Sequence, residues 1–179
     1  MTWPGRGCRA GAVAQLEAPY GRFPNPQVQI VVVPVTPGAP DASPVPWAHV
    51  VRDGGEAVQF FVDTARPLPE LAADWTATHE FAHLMLPYLE PADKWVSEGF
   101  ASYYQNVLMA RGGEYTPSRA WAELVRCFDR ARSEGAGLTP PEAVSAGVGK
   151  ARMMIYWSGA ALALTADVAL RRESGGIMS

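Results

Sequence analysis

Proline limits the fold of this 179-residue chain more than any other residue, because it is crowded toward one end. Nine of the 16 prolines fall within the first 46 residues, where only five residues are charged. Each proline removes a backbone donor and fixes φ, so no long helix can form there. The segment Val28–Val35 (VQIVVVPV) is rich in β-branched residues and predicts a strand. Thr36–Pro46 (TPGAPDASPVP) reads as a loop by composition. Trp47–Val51 and Ala57–Asp63 (AVQFFVD) predict two more strands. Asp53-Gly54-Gly55 between them is turn chemistry, which predicts a hairpin or a bulged connection.

Past Asp63 the pattern becomes helical. Pro67 and Pro69 open a helix predicted to run to about Leu86, where Pro87 stops it. A second helix is expected over about Trp95–Ala110, closed by Gly112-Gly113. A third begins near Pro117, with Trp121, Leu124, Val125 and Phe128 at helical spacing. Thr139-Pro140-Pro141-Glu142 is a capping-box signature for a short fourth helix. The last, about Ala151–Arg172, is apolar almost all round at first and is expected to be buried. Strands first and helices after predict an α+β fold. The expected organisation is one domain, strand-rich over residues 1–66 and helical over residues 67–179.

Composition excludes several function classes. With 48% apolar residues the chain can bury a core, so disorder throughout is excluded. A net charge of -3 with no Lys/Arg run argues against a nucleic-acid partner. Two cysteines, Cys8 and Cys127, are too few for a disulfide framework. The N-terminus lacks the continuous apolar stretch of a signal peptide. The longest largely apolar run, Met153–Ala166, falls short of the roughly 18–20 residues needed to cross a bilayer, so no membrane span is expected. Composition leaves the compartment and the oligomeric state open.

The chemistry is carried by His79-Glu80-Phe81-Ala82-His83, an HExxH motif that uses two of the three histidines. Histidines at i and i+4 on a helix project to the same side, so both imidazoles can reach one ion, and Zn²⁺ accepts neutral imidazole nitrogen. Glu80 projects about 100° round the helix from His79, placed to take a proton from an attacking water without being a ligand itself. A catalytic zinc site needs a third protein ligand and one open position. Cys8, Cys127, His49 and many carboxylates are candidates. Glu98 stands out, because a short reversal over Pro87–Asp93 would bring the helix that it opens back over the first. The plainer reading of Glu98 is a surface carboxylate complementing a helix dipole.

HEFAH followed by Trp95-Val96-Ser97-Glu98-Gly99-Phe100-Ala101 resembles the gluzincin metallopeptidases, specifically the aminopeptidase N-type and glycyl-aminopeptidase families. The resemblance runs over about Leu71–Gly176 and is strongest at the two zinc segments. It implies a zincin-like (thermolysin-type) catalytic domain in which His79, His83 and Glu98 hold Zn²⁺ and Glu80 is the general base. It continues at Ile155-Tyr156-Trp157-Ser158-Gly159-Ala160, where these families carry Y-x-K-G-A. Tyr156 falls on their tyrosine, whose hydroxyl stabilises the tetrahedral intermediate, a sound role for a donor aimed at developing charge. A tyrosine packed in an apolar helix is the alternative.

The resemblance has departures. Ser158 stands where those families have Lys. Their exopeptidases carry a strand motif whose Glu holds the substrate amine, and the nearest counterpart here is Glu56 in Gly54-Gly55-Glu56-Ala57-Val58. A solvated turn carboxylate is the simpler reading of Glu56. The expected activity is zinc-dependent hydrolysis of a peptide or protein substrate laid along the sheet edge, with exo- and endo-cleavage both open. The alternative is an inactive peptidase-like fragment, or a pseudo-enzyme that binds peptides without cutting them. His49, Trp75, Tyr103 and Tyr104 are expected to be structural, with Trp75 in the core, and Thr78 and Ser102 are candidate hydrogen-bond partners of the ligands.

Overall fold

The computed structural model describes residues 22–23, 25–39, 41–134 and 137–176. The chain divides into two compact units, Met1–Met85 and Leu86–Ser179. Among the described residues there are three strands and six α-helices, so the α+β expectation holds. Cys8 and the N-terminal stretch searched for a leader lie outside the described residues.

The first unit is built on a three-stranded sheet: β1 (Gln29–Val35), β2 (Trp47–Val51) and β3 (Ala57–Asp63), in the order β1-β3-β2. β3 is central, parallel to β1 with Val32 opposite Phe60, and antiparallel to β2 with Val50 opposite Val58. Its Val58, Phe60 and Val62 are buried, the period-2 signature of a face against a core. The β2–β3 connection is the expected hairpin, turned by Gly54 at φ 72, a left-handed conformation that glycine adopts without a Cβ clash. Asp63 closes β3 and is buried. It accepts from the Ala65 N–H at 3.0 Å and the Gly38 N–H at 3.3 Å, and Arg66 lies 3.7 Å away, tying the proline-rich loop to the strand end.

The predicted helix from Pro67 to Leu86 is two helices, α1 (Leu68–Ala73) and α2 (Thr76–His83). The break is at Asp74. Its carboxylate accepts from the Thr76 N–H at 2.8 Å and from the Ser43 hydroxyl at 2.9 Å, so it starts a new helix instead of continuing the old one. α2 packs on β2 and β3, with Phe81 edge-on to Phe60 and to Phe23, ring centroids 5.9 Å apart in both cases.

The second unit is helical. A short 3₁₀ turn (Pro91–Asp93) leads into α3 (Lys94–Arg111), followed by α4 (Pro117–Glu134), α5 (Pro140–Ala146) and α6 (Val148–Glu173). The α5 start behaves as predicted: the Glu142 carboxylate accepts from both the N–H and the hydroxyl of Thr139, each at 2.7 Å, and these bonds lower its pKa. The α4 stripe is corrected. Ala120, Leu124, Cys127 and Ala131 are the buried positions, while Trp121 and Val125 are exposed. α4 packs on both α3 and α6, with the Asn106 side chain of α3 donating to the Ala120 carbonyl at 2.7 Å, and the face carrying Trp121 and Val125 is left outside.

α6 also departs from the reading of a wholly buried helix. Ala151, Ile155 and Ala160 are buried, but Leu162 and Leu170 are exposed. Over Ala151–Glu173 it is long and apolar enough to cross a membrane by length and composition, longer than the run picked out in the sequence because an isolated Asp167 does not end the helix. It packs along α3, α4 and α5. The α3–α6 crossing is made at Gly99 and Gly159, where a methyl on either residue would fall into the opposing backbone.

Candidate functional site

In the first unit the structure brings His79 and His83 together. Their imidazole centroids are 5.0 Å apart and nearly perpendicular, and His79 is buried. The helix that carries them forms because Asp74 starts it and the Phe81 side chain anchors the opposite face to β3. Glu80, one residue along, is buried, and so is Thr78. Trp75 is corrected: it is 43% exposed, outside the core, and stands edge-on to His79 at 5.6 Å. The reason is the Asp74 break, which makes Trp75 the residue before the helix instead of an interior position.

The other candidates of this unit have different partners. His49 accepts a hydrogen bond at Nδ1 from the Trp47 indole at 3.2 Å and stacks on Phe61. Glu56 is neither a fully solvated turn residue nor an isolated anion, since its Oε1 lies 3.7 Å from Arg52 Nε. Arg52 was not singled out in the sequence, yet its Nη2 donates to the main-chain carbonyl of His83 at 2.7 Å. A bond to a main-chain atom leaves no spacing signature; the only hint was a cation just before the Gly-Gly turn.

In the second unit Glu98 lies in the second turn of α3 and is buried, with the Lys94 ammonium 3.3 Å from its Oε1. That pair is at i and i+4, a spacing that makes Lys94 a partner legible in the sequence. Gly99 follows Glu98 directly, so the close crossing on Gly159 fixes the backbone that carries this carboxylate. Tyr156, three residues before Gly159, is half-buried and packs against the Ala143–Ala151–Ile155 core. Ser158 donates its hydroxyl back to the Met154 carbonyl one turn earlier. Ser102 and Tyr103 are buried, and the Tyr103 hydroxyl donates to Asp167 at 2.6 Å. Cys127 is a buried thiol whose pKa is raised by burial, a poor form for a metal ligand.

Residues 89–160 match the family model of M61 glycyl aminopeptidase. The M61 match covers part of a domain. It includes Glu98, Gly99, Tyr156 and Gly159, and it bears out the glycyl-aminopeptidase resemblance in this segment. It supports a peptidase, and so a hydrolase. His79, Glu80 and His83 lie before the M61 segment begins. No curated protein and no solved structure matches the chain.

Proposed function

We propose that the chain is a zinc metallopeptidase with a zincin-like catalytic domain, in which His79, His83 and Glu98 hold one Zn²⁺. The observation that carries this reading is the imidazole pair of His79 and His83 on one short helix, with the buried carboxylate of Glu80 between them in sequence. The M61 match, with Glu98 and Tyr156 inside it, supports the peptidase assignment. The donor set fits the metal: two neutral imidazoles and a carboxylate are ligands that Zn²⁺ prefers, and three protein ligands leave a position open.

Bound zinc would act as a Lewis acid, acidifying a water and polarising the scissile carbonyl. Glu80 would take the proton from the attacking water as its oxygen adds to the carbonyl carbon, and then pass it to the leaving amine. Tyr156 donates its hydroxyl to the carbonyl oxygen as negative charge builds there. The substrate is a peptide, held along a strand edge of the sheet by main-chain hydrogen bonds. Aminopeptidase cleavage is the form that the M61 match favours.

The test is zinc content and turnover together. Near-stoichiometric zinc and hydrolysis of a mixed peptide library are expected from the wild-type chain. Glu80→Gln is expected to keep the zinc and lose at least about a hundredfold in kcat, the scale of a general base. No zinc uptake on reconstitution overturns the reading. Zinc uptake without hydrolysis of any peptide favours the alternative, an inactive peptidase-like fragment or a peptide-binding pseudo-enzyme, and peptide binding by the zinc-loaded chain separates those two.

A further inference from the structure

α2 is only eight residues long, and His83 is its last residue. The last four carbonyls of any helix have no intrahelical donor, so a ligand placed there sits on the turn that frays first. Beyond His83 the chain tightens: the Leu84 N–H bonds to the Phe81 carbonyl at 3.0 Å and the Met85 N–H to the Ala82 carbonyl at 3.1 Å. The His83 carbonyl is held differently, by the Arg52 guanidinium reaching over from the end of β2. Glu56, at the far end of the same turn, lies 3.7 Å from Arg52 Nε. One guanidinium thus joins a rigid hairpin to the end of the helix, with its positive charge at the negative end of the helix dipole. Arginine suits this task because its planar fork offers donors in two directions at once.

We propose that Arg52 is a positioning residue for the metal, which fixes the backbone of His83 and through it the direction of the imidazole. The inference rests on the reading of His79 and His83 as zinc ligands. Without the clasp the last turn of α2 opens part of the time, and apparent zinc affinity falls with the fraction of molecules that present both rings. The Glu56 carboxylate keeps the guanidinium aimed, which gives it a role apart from any contact with substrate.

The experiment measures zinc affinity of the full chain by competition with a chromophoric chelator. It compares wild type with Arg52→Met, Arg52→Lys and Glu56→Gln, and follows amide hydrogen exchange of the metal-free proteins. Arg52→Met is expected to bind zinc about ten- to hundredfold more weakly, the usual effect of losing a group that orients a ligand. Glu56→Gln moves in the same direction by less, and Arg52→Lys, which keeps one donor, recovers part of the loss. Amides 80–84 exchange faster in metal-free Arg52→Met while those of β3 keep their protection. Wild-type affinity in Arg52→Met overturns the inference, and so does faster exchange spread evenly over β3 and α2. Should Arg52→Met fail to fold, wild-type affinity in Glu56→Gln overturns it instead. A wild-type chain that takes up no zinc removes the metal reading itself, whereas wild-type uptake with unaltered variants removes this inference alone.

Discussion

Tyr103 shows how a single side chain can look like part of a site and belong to the scaffold. It lies five residues past Glu98, and its hydroxyl donates to Asp167, which also takes the Arg171 Nε at 3.0 Å on each oxygen. Burial, then the bond to Asp167, raises the phenol pKa above its ordinary 10. A proton held more tightly in the folded chain adds stability that is complete below the ordinary phenol value and is lost as pH rises through the raised one. Tyr103→Phe is therefore expected to cost about 1.5–3 kcal/mol at neutral pH, the range for a bond to a charged acceptor. Its stability should also fall less steeply than that of wild type above pH 10. Urea melts at several pH values would show both effects, and parallel alkaline limbs would count against the buried bond. Among single residues, the closeness of His79 and His83 was legible because helical periodicity ties i to i+4 in the sequence itself. Arg52 was not legible, because its acceptor is a main-chain carbonyl that any residue could supply.

For whole elements, the strands were legible almost to the residue, since β-branched runs bounded by proline and glycine have few other uses: Trp47–Val51 and Ala57–Asp63 are observed as expected. The α1–α2 break is hard to read from sequence because a lone Asp74 in an otherwise helical stretch is compatible with a continuous helix; here one oxygen takes the Thr76 N–H and the other the hydroxyl of Ser43 from a distant loop. The buried stripe of α4 differs from the expected one because hydrophobicity favours Trp121 and Val125, whereas the inward face is Ala120, Leu124, Cys127 and Ala131, with Ala120 held by Asn106 of α3. The α3–α6 crossing has glycine on both helices. Gly159→Ala would press a methyl onto the Trp95 carbonyl, a backbone atom that cannot swing aside, in the turn just before Glu98. The expected cost is about 3 kcal/mol or more, the upper end for overpacking. Zinc affinity should fall with it, since the Glu98 backbone must shift. Thermal melts and chelator competition read both effects, and a Gly159→Ala protein with the melt and zinc affinity of wild type would show that the crossing does not need glycine there.

For the molecule as a whole, the proposed ligands are divided between the two compact units, with the histidines before Met85 and Glu98 after Leu86. A ligand that binds only the folded state stabilises it by mass action, by about 2.7 kcal/mol when free ligand reaches a hundred times its Kd. If all three residues hold the ion, that gain requires both units to be folded at once, and zinc should raise the midpoints of both units together. Removing zinc with a strong chelator should lower both midpoints and return each unit to the stability of its own core, the sheet with α2 in one case and the helices around α6 in the other. Glu98→Ala should then lose most of the zinc-dependent shift in both units while its metal-free melt stays close to that of wild type. The His pair alone can still take zinc weakly, so a residual shift confined to the first unit is the expected remainder. Hydrogen exchange with and without zinc reads the two units separately, through amides of β3 and of α4. A zinc shift in Glu98→Ala equal to that of wild type in both units would remove Glu98 from the ligand set.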